Sequence, residues 1–207
     1  MKVALTGGIA CGKSLLSKFL NELGVETLDA DDVVHEFLPD PEERRRIAAE
    51  VFADPEKRRA LEAKIHPVVK EKIDAWLDRT SGTNRTTGTD VTNGTSACPV
   101  SLGGLVCPVR VAIIPLLFEA HWEKNFDIIC CVASTRESQI ERMTATRGMT
   151  LAEAEARLAA QMPVEEKAKR SHYVIHNNGT AEELKAQAAA FLKFLTSKQM
   201  QLKLAND

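Results

Sequence analysis

The sequence predicts an α/β fold in which helices cover both faces of a central parallel sheet, giving three layers. The first observation is a strand, a loop and a helix in succession. A short β-prone run at residues 2–6 leads into Gly-Gly-Ile-Ala-Cys-Gly-Lys-Ser at 7–14, and apolar residues at helical spacing follow as far as Leu23. The second observation is that later apolar runs alternate with helical segments, an order typical of parallel sheets.

Each further element has its own local signal. Three capping-box pairs predict helix starts, because a Ser or Thr oxygen and a Glu three residues later satisfy each other's free backbone groups. These pairs are Ser134 with Glu137, Thr150 with Glu153, and Thr180 with Glu183. Apolar and β-branched runs predict four more strands, at residues 25–28, 109–114, 127–133 and 173–175.

The middle of the chain has a different character. Residues 39–79 show helical periodicity, and we expect a break at His66–Pro67 because proline suits the first turn of a new helix. A histidine beside such a break either contacts a substrate in a cleft or fills a structural position. Residues 80–108 are rich in Thr, Gly, Ser and Asn, which favours a long surface insertion.

Composition limits the function only weakly. The 207 residues suffice for one main domain with a small subdomain, and contents of 44% hydrophobic and 27% charged residues are ordinary. A net charge of −2 gives no general reason to expect a nucleic-acid or membrane partner. Five scattered cysteines and the lack of a long apolar run favour a cytoplasmic protein with reduced thiols. We expect a monomer or a small homo-oligomer.

Residues 7–14 match the pattern G-x-x-x-x-G-K-[ST] between a strand and a helix, where it is typical of a polyphosphate-binding loop. Glycines let backbone N–H groups surround phosphates, and the helix start is electropositive. Lys13 can then reach the β- and γ-phosphates, and Ser14 can ligate Mg²⁺. The alternative is a plain glycine-rich turn. The candidate nucleotide-binding residues of the loop are Gly8, Ile9, Ala10, Cys11, Gly12, Lys13, Ser14 and Leu15.

Acidic residues end the second predicted strand. Asp29, Asp31 and Asp32 should lie near the phosphate loop, because ligands bind at the carboxyl ends of parallel strands. One of them could act as a base or a Mg²⁺ partner. The other interpretation is that they cap a helix starting near Val33.

Arginines mark the helical stretch between the last two strands. Arg142, Arg147 and Arg157 either belong to a helical lid that stabilises charge during phosphoryl transfer or form a solvated face. Their spacing does not decide between the two.

Taken in chain order, the distinctive residues of the sequence form an ordered set. They are residues 5–9, 12–14, 29–31, 61–62, 65–67 and 115–119, Gln139 with Arg142, 156–157 with Gln161, and 174–175 with Asn177 and Gly179.

This ordered set resembles the dephospho-coenzyme A kinases, a family of P-loop NTPase fold with a helical acceptor-binding subdomain and a helical lid. The resemblance implies transfer of the γ-phosphoryl group of ATP, with Mg²⁺, to the ribose 3′-hydroxyl of dephospho-coenzyme A. It implies a core, an acceptor-binding region and a lid in a single P-loop kinase domain that spans residues 1–207. The core lies at about 1–38, 109–135 and 171–198, the acceptor-binding region at 39–79 and the lid at 136–170. The insertion at 80–108 has no counterpart in the family.

The resemblance also implies roles for single residues. Lys13, Asp31 and Arg142 would be catalytic, with Asp31 accepting the proton of the acceptor hydroxyl. Asp29, Asp31 and His66 would bind the acceptor. Ser14 would hold the metal, Arg147 would contact the nucleotide, and Asn177 would lie near the adenine of ATP.

Three departures from the family pattern stand out. Glu43–Arg44 before Val51–Phe52 replaces a longer connection with a glycine-bearing turn and Asp-Arg. Arg142 and Arg147 are five residues apart instead of four, so we expect the helix to end near Gly148 and Arg147 to swing back from the loop. Ser171–His172 replaces the usual Ala-Asp.

Two other functions remain open. Another P-loop kinase acting on a nucleoside monophosphate or a sugar acid would share the loop, the acids and the arginines. A GTP-dependent switch or a nucleotide-binding regulator without catalysis is the second. The chain has no N-K-x-D sequence for guanine, which argues against the switch.

Overall fold

The computed structural model describes residues 1–37, 40, 42, 46, 47, 55–78 and 109–204. The predicted insertion at 80–108 and the departures at Glu43–Arg44 and Val51–Phe52 lie outside these residues. The described chain forms two compact units. One contains residues 1–27 and 109–204, and the other contains the described residues between 28 and 78.

A five-stranded sheet confirms the predicted architecture. Its strand order is β2-β3-β1-β4-β5. β1 pairs in parallel with both β3 and β4, and β5 pairs in parallel with β4. Every predicted strand is present. The strands are β1 (Val3–Gly7), β2 (Glu26–Asp29), β3 (Arg110–Ile113), β4 (Ile128–Ala133) and β5 (Tyr173–His176).

Helices flank the sheet. Those of the described residues are α1 (Lys13–Glu22), α2 (Ala30–Phe37), α3 (Pro55–Leu77), α4 (Arg136–Arg147), α5 (Leu151–Ala159), α6 (Val164–Lys169) and α7 (Ala181–Leu204), with a 3₁₀ turn at Glu123–Asn125. α1 packs against α7, and α6 packs against β4 and β1. Within the part of the chain that is described, no helix combines the length and the apolarity that a membrane crossing requires.

The two strands that carry the functional loops form the core of the sheet. All residues of β1 and β4 are buried, which explains why their sequences are nearly continuous apolar runs. α7 covers this core with residues at helical spacing that are almost fully buried. They are Leu184, Ala188, Phe191 and Leu195.

The helix caps agree with the sequence in two of three cases. Thr150 and Glu153 form the predicted capping box, and Thr180 and Glu183 exchange the same pair of bonds. The prediction for Ser134 was wrong, because Thr135 caps α4 by accepting from the Ser138 amide. Ser134 is buried, and its hydroxyl donates to the carbonyl of Asn177. This tertiary contact replaces the predicted capping bond.

The helix after β2 begins earlier than predicted. α2 starts at Ala30, so Asp31 and Asp32 lie in its first turn and do not precede it. Asp29 supplies the cap, since its Oδ1 accepts from the Asp31 amide at 3.0 Å. Carboxylates in the first turn are stabilised by the helix dipole, so the acidic run favours an early start.

The predicted break at His66–Pro67 was also wrong. α3 runs without interruption from Pro55 to Leu77 and contains Pro67. Proline removes one backbone donor from a helix interior, a cost that packing can offset. Val69 and Ile73, which lie four residues apart on one face of α3, are buried. α3 packs against α2 within the same unit. Tertiary packing therefore stabilises a continuous helix despite the proline.

Candidate active site

The loop between β1 and α1 is the centre of the site. β1 ends at Gly7, and α1 begins at Lys13 with Gly12 as its N-cap. No side chain of the described residues caps α1, and the N–H groups at a helix start point along the axis, where they can bind an anion. Ser14 and Leu15 are exposed at this helix start.

Three side chains hold consecutive carbonyls of this loop. Gln139 donates to the Ile9 carbonyl at 2.7 Å. Arg142 donates to the Ala10 carbonyl at 3.2 Å, and Asn177 to the Cys11 carbonyl at 2.9 Å.

These contacts set the direction of the loop's amides. A trans peptide places its N–H opposite its carbonyl, so the amides of Ala10 and Gly12 point away from the side chains that hold the carbonyls of Ile9 and Cys11. The amides of Ala10 and Gly12 are therefore directed away from these supports, an orientation that a phosphate-binding loop can use.

Arg142 connects the loop to two strand ends. Its guanidinium donates to the Ser134 hydroxyl at 3.0 Å and to the Asn177 carbonyl at 2.7 Å, besides the Ala10 carbonyl. Because these acceptors are protein groups, Arg142 positions the loop in this state. A catalytic role for its remaining donors stays a prediction.

Lys13 lies across the start of the loop. Its Nζ donates to the Gly7 carbonyl at 3.1 Å and to the Gly8 carbonyl at 2.8 Å. The ammonium group therefore adds positive charge where the helix start is already electropositive. This arrangement can stabilise the charge of a polyphosphate.

A pocket of about 330 Å³ adjoins the first half of the loop. Gly8 and Ile9 line one side, Gln139 contributes from α4, and the opposite side comes from the end of α5 and residues 161–165. The region predicted to be the lid thus borders the loop directly.

Gly12 provides a test of the loop geometry. Its φ is +93°, and a Cβ there would lie 2.2 Å from the Asn177 amide nitrogen that holds the Cys11 carbonyl. Gly12→Ala therefore adds a clash to the strain of a left-handed backbone. We expect it to lower the free energy of unfolding by about 3 kcal/mol. Chemical denaturation of the unliganded protein measures this.

Gly148 is the matched control, since its φ is +63° and a Cβ would meet no atom of the described residues within 4 Å. Gly148→Ala should cost only the backbone strain, about 1 kcal/mol. Equal losses in the two variants would contradict the proposed contact with Asn177.

Three buried thiols lie in the loop and in β4 beside it. Cys11, Cys130 and Cys131 are free and buried. Burial raises the pKa of Cys11, with Lys13 acting in the opposite direction. Burial, assisted by the neighbouring Cys11, raises the pKa of Cys131 to about 12. Both thiols are therefore neutral at physiological pH and poor nucleophiles, although Cys11 lies inside the loop.

The raised pKa of Cys131 predicts alkaline destabilisation. Above pH 9.0, its ordinary value, the unfolded chain loses the thiol proton while the folded chain keeps it, so stability falls as pH rises toward about 12. Between pH 9 and 11 the unfolding free energy of wild type should fall with rising pH. We expect this fall to be smaller in Cys131→Ala, by about 1 kcal/mol per pH unit. Denaturation at a series of pH values measures both slopes, which should coincide at pH 7–8. Parallel slopes above pH 9 would contradict the prediction.

The other predicted site residues are distributed as follows. Asp29 ends β2, and Asp31 lies exposed in the first turn of α2. His66 is half-buried within α3, in the same unit as both acids.

Arg147 is the last residue of α4, and Gly148 in the left-handed region confirms the predicted end of this helix. The Arg147 side chain is exposed, and among the described residues none forms a hydrogen bond or ion pair with its guanidinium. Its predicted return to the phosphates stays a prediction.

Sequence reasoning missed two kinds of residue. The capping-box pattern predicts a cap at Ser134, yet its position directly after β4 places it at the carboxyl edge of the sheet, where ligand sites form. Glu119 and Lys167 form a pair at 2.8 Å, and the Lys167 side chain has no exposed surface. Lys167 follows the buried Val164 by three residues, which places both on one face of the helix. This spacing is the one sequence feature that indicated burial of Lys167.

Comparison with known proteins places this site in a family. The sequence model of dephospho-CoA kinase matches residues 1–43 and 103–183. A dephospho-CoA kinase from Synechococcus sp. (strain JA-3-3Ab) is 36% identical over 206 residues, covering 89% of this chain and 88% of that protein.

Two solved structures show the same fold. A crystal structure from Thermus thermophilus has a TM-score of 0.69 and 31% identity, covering 94% of this chain and 97% of that one. A dephospho-CoA kinase from Campylobacter jejuni has a TM-score of 0.62 and 21% identity, covering 96% of this chain and 100% of that one, a likeness of fold alone. The architecture is the α/β P-loop NTPase fold, and by its sequence match the chain belongs to the dephospho-CoA kinase family.

Proposed function

We propose that this chain transfers the γ-phosphoryl group of ATP to the ribose 3′-hydroxyl of dephospho-coenzyme A, giving coenzyme A. One observation carries the proposal: in a chain of this family, Gln139, Arg142 and Asn177 hold three consecutive carbonyls of the phosphate loop. A loop held in this way binds phosphate without reorganising, and phosphoryl transfer depends mainly on positioning and charge stabilisation.

The donor half of the site would be the loop and its supports. The backbone of residues 8–15 would bind the phosphates of ATP, and Lys13 would stabilise charge on the group in transfer. Asn177 would lie toward the adenine. Arg142 and Arg147 would add positive charge from α4 to the transferring group.

The residues present fit a magnesium ion carried by ATP. Ser14 offers an exposed hydroxyl at the start of α1. Within the described ranges no group of three or more His, Cys, Asp or Glu side chains could hold a metal. Mg²⁺ needs no such cage, because it keeps several waters and takes substrate phosphates as ligands. When bound, it would neutralise phosphate charge while Ser14 supplies one oxygen ligand.

The acceptor roles would belong to residues at and after the end of β2. Asp31 would accept the proton of the 3′-hydroxyl as the oxygen forms its bond to the γ-phosphorus. The bond from that phosphorus to the β–γ bridging oxygen breaks, and ADP leaves. Asp29 and His66 would bind the acceptor, residues 39–79 would form the acceptor-binding region, and residues 136–170 the lid.

The proposal also covers the setting of the reaction. We place it in the cytoplasm as a monomer or small homo-oligomer, with no nucleic-acid or membrane partner. The free thiols Cys11, Cys130 and Cys131 are consistent with a reducing compartment, and the net charge of −2 with small-molecule substrates.

Acceptor competition tests the proposal. Purified protein with ATP and Mg²⁺ would be given dephospho-coenzyme A, AMP, CMP or gluconate at equal concentration, and the products separated by chromatography. We expect kcat/KM for dephospho-coenzyme A to exceed the others by at least about 10²-fold. Turnover of another acceptor alone would indicate a different small-molecule kinase. ATP binding without any turnover would indicate a regulator.

A further inference from the structure

The carboxylate of Glu119 joins three segments of the chain. Glu119 follows β3, and its Oε1 accepts from the Met162 amide at 3.0 Å. The same oxygen lies 2.8 Å from Lys167 Nζ on α6. Met162 stands where the chain returns from α5, one residue before Pro163 caps α6. One oxygen therefore fixes the point at which the predicted lid rejoins the core.

Lys167 extends these contacts to the phosphate loop. Its Nζ also donates to the Pro115 carbonyl at 2.8 Å. The Thr6 hydroxyl donates to that same carbonyl at 3.3 Å, and Thr6 precedes Gly7 in β1. A continuous line of polar contacts thus runs from Met162 through Glu119, Lys167 and Pro115 to the strand that carries the loop.

The burial of Lys167 beside the half-buried Glu119 requires an explanation beyond stability. Lys167 has no exposed side-chain surface, and an ion pair in such a place is often no more stable than apolar residues of equal size. Glu119 Oε2 is buried too, and no described residue donates to it. What the pair supplies is a fixed direction for the Met162 amide and the Pro115 carbonyl.

We propose that Glu119 is a positioning residue for phosphoryl transfer, holding the return of the lid at Met162 in place against β1. The inference rests on the proposed function. The loop carbonyls are held by Gln139, Arg142 and Asn177, in bonds that do not involve Glu119. Loss of Glu119 should therefore affect phosphoryl transfer more than nucleotide binding. A displacement of about 1 Å can cost about 10²-fold in rate.

A matched pair in the same two segments provides the control. Glu123 Oε1 lies 2.6 Å from Arg170 Nη2, and Glu123 Oε2 is also buried with no donor among the described residues. Glu123 contacts neither the Met162 amide nor Lys167, whereas Arg170 contacts Met162 at its sulfur, with Nη1 3.8 Å from Sδ. The double variants Glu119→Leu/Lys167→Met and Glu123→Leu/Arg170→Met each remove one ion pair and leave no unpaired charge from it.

The two variants would be compared for kcat, ATP dissociation constant and Tm. We expect the Glu119 variant to lose at least tenfold in kcat at saturating substrates, with ATP affinity within about twofold of wild type. The Glu123 variant should lose less. A Glu119 variant that folds and loses less than tenfold, or no more than the Glu123 variant, overturns the proposal.

If the double variant Glu119→Leu/Lys167→Met does not fold, the single variant Glu119→Gln tests the proposal instead. This variant leaves an oxygen for Met162 but gives up the charge that pairs with Lys167, and the same tenfold threshold in kcat applies. The proposed function is judged separately, on wild-type turnover of dephospho-coenzyme A. If wild type prefers another acceptor, the Glu119 comparison is made with that acceptor.

Discussion

Lys13→Met is expected to lower kcat/KM for ATP by about 10³-fold, the largest effect of any single substitution in the loop. Lys13 Nζ now donates to the carbonyls of Gly7 and Gly8, so its ammonium is already beside the phosphate-binding backbone. Methionine keeps most of the length of the side chain and removes the charge. Steady-state kinetics with varied ATP measure the loss.

Lys18→Met is the control for Lys13, because Lys18 is an exposed lysine of the same helix. It should leave kcat/KM within about twofold. The unliganded Lys13→Met should lose only about 1–3 kcal/mol of stability, the cost of the bonds to the Gly7 and Gly8 carbonyls, and a variant that remains folded separates lost phosphate contact from a damaged loop. A fall of less than tenfold in Lys13→Met would contradict a phosphate-binding role.

Asp31→Asn should lower kcat by about 10²-fold or more while ATP binding is retained. An amide cannot take the proton of the acceptor hydroxyl. The substitution leaves the local structure intact, because it is the Asp31 backbone amide that donates to Asp29 Oδ1. Rapid-quench measurement of product formation, with ATP affinity measured separately, gives both quantities.

Asp32→Asn controls for the general effect of charge at this position. Asp32 is the exposed neighbour in the same first turn of α2, so its carboxylate interacts with the same helix dipole. Its kcat should remain within about threefold of wild type. Equal kcat losses in the two variants, or none in Asp31→Asn, would refute the assignment of Asp31 as the base.

The donor loop was predictable because its signals are local. The glycines, Lys13 and Ser14 lie within eight residues, a short apolar run precedes them, and the helix after them has a clear hydrophobic period. Arg142 and Asn177 could be named as site residues from the family resemblance. Their bonds to the Ala10 and Cys11 carbonyls could not, since they join residues more than a hundred positions apart.

Two local rules failed where tertiary contacts were stronger. Ser134 has the spacing of a capping box, yet its hydroxyl donates to the Asn177 carbonyl, and Thr135 caps α4 instead. Pro67 has the signal of a helix break, yet buried Val69 and Ile73 keep α3 continuous. In both cases a distant partner outweighed a preference worth about 1–3 kcal/mol.

The sequence by itself determined the parallel α/β architecture and the phosphate loop, because hydrophobic period, glycine placement and caps act within a few residues. Only the tertiary structure decided what supports that loop. Gln139 and Arg142 come from α4, and Glu119 pairs with Lys167 across 48 positions. Such pairs form when packing brings distant segments together and excludes water, so buried polar groups must satisfy one another.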